Sequence, residues 1–188
     1  AARDADMPPW ILSQIAIWQA RIWLAEEQLE LASQWIIESG LDANNSDRSP
    51  TEVTYFSLHG TIIQARILLA HGQVTETVAL LDQIIEPTRI GERIGVLIEI
   101  LLLQALAFQA GGDSTQAMAV LAQSLALAEP RSFARVFIDE GLPMAHLLDE
   151  ALAHNIAPDY CRQLLVAFPI TEISQAPRPV IQLSLIHI

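Results

Sequence analysis

The chain has 188 residues, of which 52% are hydrophobic and 17% charged, a composition that excludes a disordered polymer and fits a protein built to pack. Its 22 Asp and Glu outweigh 10 Lys and Arg, and the resulting net charge of −12 repels phosphate, making direct nucleic-acid contact a poor reading. The single cysteine, Cys161, cannot form an internal disulfide, which fits a reducing cytoplasm.

From Trp10 the spacing is helical almost throughout. Trp10, Ile11, Gln14, Ile15, Trp18, Ile22 and Ala25 recur at steps of three and four. A second apolar face follows with Leu29, Ala32, Trp35 and Ile36 and stops at Gly40, a residue suited to a left-handed helix end. Leu41 to Pro50 (LDANNSDRSP) reads as a loop, because its Asn, Asp and Ser side chains compete for the backbone. Thr51 to His71 then forms a third helix ending near Gly72, and Thr75 to Glu86 a fourth ended by Pro87. Glu92 to Ala110 is a fifth, closed by Gly111 and Gly112, and Asp113 caps a sixth that runs to Glu129. Phe133, Val136 and Phe137 belong to a helix that ends at Asp139, Glu140 and Gly141, with a new one starting at Pro143. The aromatic side chains there are expected to pack on the preceding repeat and close the array. Alternating polar and apolar runs are missing, so strands find no place.

The most apolar segment, VLIEILLLQALAF (Val96 to Phe108), is interrupted by Glu99 and Gln104 and falls short of the roughly 20 residues a membrane span needs. It reads as a buried core helix. No basic leader followed by an apolar core opens the chain, and the first residue is not Met, so residues 1–9 are expected to be an incomplete lead-in.

The helices repeat. Leu68 to Leu81 (LLAHGQVTETVALL) aligns with Phe108 to Leu121 (FQAGGDSTQAMAVL), placing Gly72 under Gly112 at an offset of 40. A weaker copy, Trp23 to Ile36, puts Glu27 at the glycine position, at an offset of 45. Spacings of about 34 to 47 residues are those of helix-hairpin solenoids, in which each hairpin must stack to bury its apolar face. The expected fold is therefore all-α, with antiparallel helix hairpins stacked as a superhelix over residues 10–168.

Catalytic and metal chemistry find little footing. The Gly111-Gly112 pair joins two helices with no following Lys-Ser or Lys-Thr, so a helix-hairpin turn is a better reading than a phosphate loop. His59, His71, His146, His154 and His187 are scattered, without a second ligand at metal spacing. His146 and Asp149 could share a face but read as solvated, and Cys161 in YCRQLL reads as a small core residue more readily than as a nucleophile.

One polar group stands apart. His59 and Glu99 are 40 residues apart, so the repeat register sets them level on neighbouring first helices, roughly 8–10 Å apart. Tyr55, His59 and Arg66 follow one another at steps of four and seven as a polar stripe on the expected concave face. The simpler reading is a hydrogen-bonded pair that fixes the register of two repeats. The sharper one is part of a ligand pocket lined by Tyr55, His59, Arg66 and Glu99.

Ile98 to Leu148 resembles a known block. IEILLLQALA, the GGD turn, QAMAVLAQSLALAEP and FARVFIDEGLPMAHLL are similar to the C-terminal helical-repeat region of the MalT-like, ATP-dependent LuxR-family transcriptional activators. Ala65 to Ile85 and Ala32 to Leu41 fit the same region, and Tyr160 to Pro169 resembles the last helix before that family's linker. The resemblance implies a tetratricopeptide-like superhelix whose structural markers here are Gly72, Gly112, Asp113, Phe137, Asp139, Glu140 and Gly141. It also implies a non-catalytic, cytoplasmic sensor of a small-molecule inducer or regulatory protein that takes part in self-association. ATP binding would belong to an N-terminal module and DNA binding to a C-terminal one, neither visible in these residues, so no cofactor is expected in this segment. Residues 169–182 are expected to be a linker toward the DNA-binding module, and LSLIHI, residues 183–188, resembles translated sequencing adaptor. The competing reading is a stand-alone repeat scaffold that holds a protein partner in its groove.

Overall fold

A computed structural model describes residues 9–26, 28–39 and 55–168 of the chain. Gly40, the loop at 41–50, Glu27 and the segments 169–182 and 183–188 lie outside the described residues. The molecule is all-α, and no described residue lies in a strand. It divides into two compact units, Ala1–Phe133 and Ala134–Ile188.

The first unit holds α1 (Pro9–Ala25), α2 (Leu29–Ser39), α3 (Tyr55–Ala70), α4 (Val74–Ile90), α5 (Ile94–Ala110), α6 (Ser114–Ala128) and a short 3-10 turn (Glu129–Arg131). Neighbours in sequence pair as hairpins, and α1 packs on α3 as α3 packs on α5. This is the tetratricopeptide-like stack that the repeats in the sequence predict.

A finer period underlies it. Gly72, Glu92, Gly112 and Ser132 follow one another at intervals of 20 residues, and all four take left-handed backbone, with φ of 74°, 53°, 80° and 53°. Each closes its helix in the same way. The amides of Gly112 and Asp113, for instance, return to the carbonyls of Gln109 and Phe108 at 3.0 and 2.9 Å, and those of Glu92 and Arg93 to Arg89 and Thr88. That double bond satisfies carbonyls the helix end would otherwise strand. An added Cβ at Gly72 or Gly112 would meet nothing within 4 Å, so glycine is there for its backbone freedom and not for space. Asp113 caps α6 as expected, its side chain accepting from the Gln116 amide at 3.0 Å.

In this first unit two helix ends differ from the sequence reading. Pro87 lies inside α4 instead of ending it at Glu86. Proline forfeits one bond, to the carbonyl of Gln83, but Gln83 is on the exposed side where water can take that carbonyl, and buried Ile84 and Thr88 hold the helix down on either side. The helix thus continues to Ile90 and turns at Gly91 and Glu92, so α5 starts at Ile94 and not at Glu92.

Packing repeats along with the backbone. Ile17, Ala20 and Ala32 form one apolar cluster with Ile63 and Ile67 of the next hairpin. Forty-five residues on, Ile62, Ala65, Leu80 and Leu81 form another with Ile100 and Leu103. Alanines at the contact let the helix axes approach, and leucines and isoleucines fill what remains.

The second unit contains α7 (Arg135–Ile138), α8 (Gly141–Ala153) and α9 (Pro158–Ala167). Phe137 is fully buried and meets Tyr160 edge-on, with ring centroids 6.2 Å apart and planes at 84°. Asp139 ends α7 and pairs with Arg135 at 2.7 Å one turn back, while Gly141 takes φ 66° at the start of α8. The stretch ARVFIDEG is therefore a helix end and a turn into the next helix, but α7 begins at Arg135 and leaves Phe133 outside it, and α8 begins at Gly141 and not at Pro143.

Candidate functional site

The first helices of the three hairpins, α1, α3 and α5, each place a polar side chain in the same small region of the first unit. Glu99 sits in the middle of α5, the most apolar helix, and only 8% of it is exposed. A buried carboxylate must be paired, and this one is. Its Oε1 accepts from Arg66 Nη2 of α3 at 3.0 Å and lies 3.5 Å from Arg21 Nη2 of α1. One carboxylate oxygen thus ties three successive repeats. Arg21 in turn lies over the Trp18 ring, 5.7 Å from its centroid.

His59 is buried on α3, about two turns before Arg66 on the same helix. Burial pushes its ring below the ordinary 6.5, Glu99 opposes that shift, and Arg21 and Arg93 add to it. His59 is consequently a neutral imidazole at physiological pH, able to donate from one nitrogen and accept at the other. Of the four residues singled out in the sequence, the structure joins Arg66 and Glu99 directly and brings His59 within reach of the Glu99 charge. Tyr55 opens α3, but its side chain lies outside the described residues.

The reading of the sequence missed Arg21, although a signal was present. Arg21 precedes Arg66 by 45 residues, the same offset that relates Glu27 to Gly72. The backbone keeps that register, since the Gln28 amide bonds the Trp23 carbonyl as the Gln73 amide bonds that of Leu68. A second pair was missed for the same reason. Gln64 and Gln104 are both buried and are 40 residues apart, as His59 and Glu99 are, and Gln104 donates to Asp82 of α4 at 2.6 Å. α5 therefore carries two buried polar side chains that face different neighbours, Glu99 toward α1 and α3 and Gln104 toward α4.

The other candidates fall elsewhere. Cys161 is fully buried and its thiol lies 3.3 Å from the Ile156 carbonyl, a core position and not that of an accessible nucleophile. His146, Asp149 and His154 are exposed, and His71 Nε2 is 3.2 Å from Ser33 Oγ. Among the described residues no three His, Cys, Asp or Glu come together as a metal site would require, and no helix is long and apolar enough to cross a membrane. The chemistry on offer at Glu99 is hydrogen bonding and charge recognition across a joint between repeats.

Residues 2–154 fit the family model of the MalT-like TPR region. Neither the curated proteins nor the solved structures contain a match.

Proposed function

Since the chain belongs to the family of MalT-like TPR regions, we propose that it is the non-catalytic signal-sensing and self-association region of a LuxR-type transcriptional regulator. The observation that carries the sensing part is the junction at Glu99, where Arg21 and Arg66 from successive first helices meet one buried carboxylate whose charge also acts on His59. A small polar molecule bound there would exchange hydrogen bonds with groups from different repeats. Its binding energy would then depend on how those repeats are set against one another. That dependence is what a population shift requires, because a ligand biases a conformation only through differential affinity. In this reading the inducer is a small polar metabolite or a regulatory protein, the region acts in the cytoplasm, and it needs no cofactor. ATP-driven switching and DNA contact belong to neighbouring modules of the regulator, in keeping with a net charge of −12 that disfavours phosphate contact here.

The test is a thermal-shift screen of the chain against a library of sugars, amino acids and organic acids. A ligand of the folded state raises the melting temperature by mass action. The proposal expects at least one compound that shifts the parent chain and not Glu99→Gln. If every active compound shifts both proteins equally, the Glu99 junction is not where sensing occurs.

A further inference from the structure

Arg66 and Arg21 hold Glu99 unequally. Arg66 donates to Oε1 at 3.0 Å, a formed hydrogen bond. Arg21 stands 3.5 Å from the same oxygen, outside the about 2.7–2.9 Å of a charge-assisted hydrogen bond, and 40% of its side chain is exposed. Its other contact is the Trp18 ring, which steadies the charge but offers no carboxylate to the five N–H donors. Arg89, Arg135 and Arg162, by contrast, each pair with an acidic residue three or four places away on the same helix. Arg21 instead reaches from the first hairpin to the third and makes a loose contact there. Glu99 has capacity to spare as well. Its second oxygen, Oε2, takes no hydrogen bond or ion pair from the described residues and is not closed off from solvent.

We propose that Arg21 and Glu99 Oε2 together bind the head of a small carboxylic acid that carries a hydroxyl or ammonium group on the adjacent carbon. The acid's carboxylate accepts from the Arg21 fork, whose planar donors suit two oxygens at once. Its hydroxyl or ammonium donates to Oε2. Donor and carboxylate are one carbon apart in such an acid, so one small molecule meets both groups across the 3.5 Å joint. The Arg66 hydrogen bond stays in place throughout. Two other ligand chemistries fit less well. Inorganic phosphate would give Arg21 its counter-charge but set acceptor oxygens against Oε2, which can only accept. A neutral polyol would donate to Oε2 and leave Arg21 without a charged partner. Trp18, 57% exposed beside Arg21, gives an apolar side chain of the acid a surface to lie on. An acid held there bridges α1 and α5. This names the ligand class of the Glu99 junction and rests on the sensing reading of it.

Four matched compounds test it by calorimetric titration of the full chain at one ionic strength. Leucine and its α-hydroxy analogue carry both groups, 4-methylpentanoate lacks the donor, and leucinol lacks the carboxylate. Leucine or the hydroxy acid should bind about tenfold or more tightly than either of the others, the worth of one charged hydrogen bond. Tight binding by one of the two alone upholds the proposal and identifies the donor. Arg21→Gln should weaken that binding by about tenfold. Its own melting temperature should stay within about 1 °C of the parent, since an exposed ion pair contributes little to stability. The comparison of the four compounds on the parent chain stands even if the variant folds poorly. Affinity for 4-methylpentanoate, leucinol or inorganic phosphate equal to that for leucine would overturn the proposal, as would a folded Arg21→Gln that binds leucine like the parent. Failure of both acids to bind would overturn it too. In that event a sugar that shifts the parent chain and not Glu99→Gln would leave the sensing reading standing, and a library with no such compound would remove both.

Discussion

Glycine at one point of the 20-residue period and its absence at another allow opposite substitutions with opposite outcomes. Gly112 has φ 80° and open space around its would-be Cβ, so Gly112→Ala introduces left-handed strain and no clash. The left-handed conformation costs a non-glycine residue about 1–2 kcal/mol. Alanine recovers about 0.4–1 kcal/mol of that by restricting the unfolded chain. The net loss should be about 1 kcal/mol, or roughly 2–4 °C in melting temperature for a chain of this length. Glu92 holds the equivalent turn at φ 53° with an exposed side chain, so Glu92→Gly should gain a similar amount, about 1 kcal/mol. Calorimetric melts of the two variants beside the parent chain, with urea titrations to hold the comparison at one temperature, read both signs. A neutral Gly112→Ala, or a Glu92→Gly that destabilises, would refute the claim that one left-handed joint recurs at this interval.

Other substitutions probe other parts of the account. Glu99→Gln removes the charge that Arg66 and Arg21 share, and with those guanidinium side chains 22% and 40% exposed the loss should be about 1–2 kcal/mol, below that for a dry pair; denaturant titration measures it. His59 supplies a pH test. Its folded ring resists protonation below 6.5 while the unfolded chain accepts the proton, so stability is complete above 6.5 and declines as the pH falls below that value. His59→Gln should flatten the decline just below 6.5, and melts across that window would show it; an unchanged slope would mean His59 is not buried as a neutral ring. In the second unit, Phe137→Ala should cost about 3–5 kcal/mol, because a fully buried ring packed on Tyr160 leaves a large void; near-ultraviolet circular dichroism of the Tyr160 environment and melting curves would report it.

Much of this fold can be read in the residues, since the features that carry it are local. Gly72 and Gly112 mark helix ends by backbone conformation, Asp113 marks a helix start by a side-chain bond, and the offset of 40 between the glycines gives the hairpin period. The turn at Gly91 and Glu92 escapes such a reading because a glutamate occupies the left-handed position and Pro87 looks like a stop. Tertiary packing of Ile84 and Thr88 overrides the local preference there. At the Glu99 junction the register alone places His59 and Glu99 together, but it gives no sign that Glu99 would take arginines from two helices. Charge pairing across repeats depends on where long side chains reach, and the sequence shows that only once Arg21 and Arg66 are seen to be 45 residues apart.

Sensing coupled to self-association makes the most demanding claim of the account, and sedimentation velocity tests it most directly. The chain is run with and without a metabolite that stabilises it, alongside Glu99→Gln. The account predicts a saturable change in sedimentation coefficient for the parent chain and none for Glu99→Gln. A parent chain whose assembly state ignores a ligand that it binds, or a variant that responds as the parent does, would contradict it.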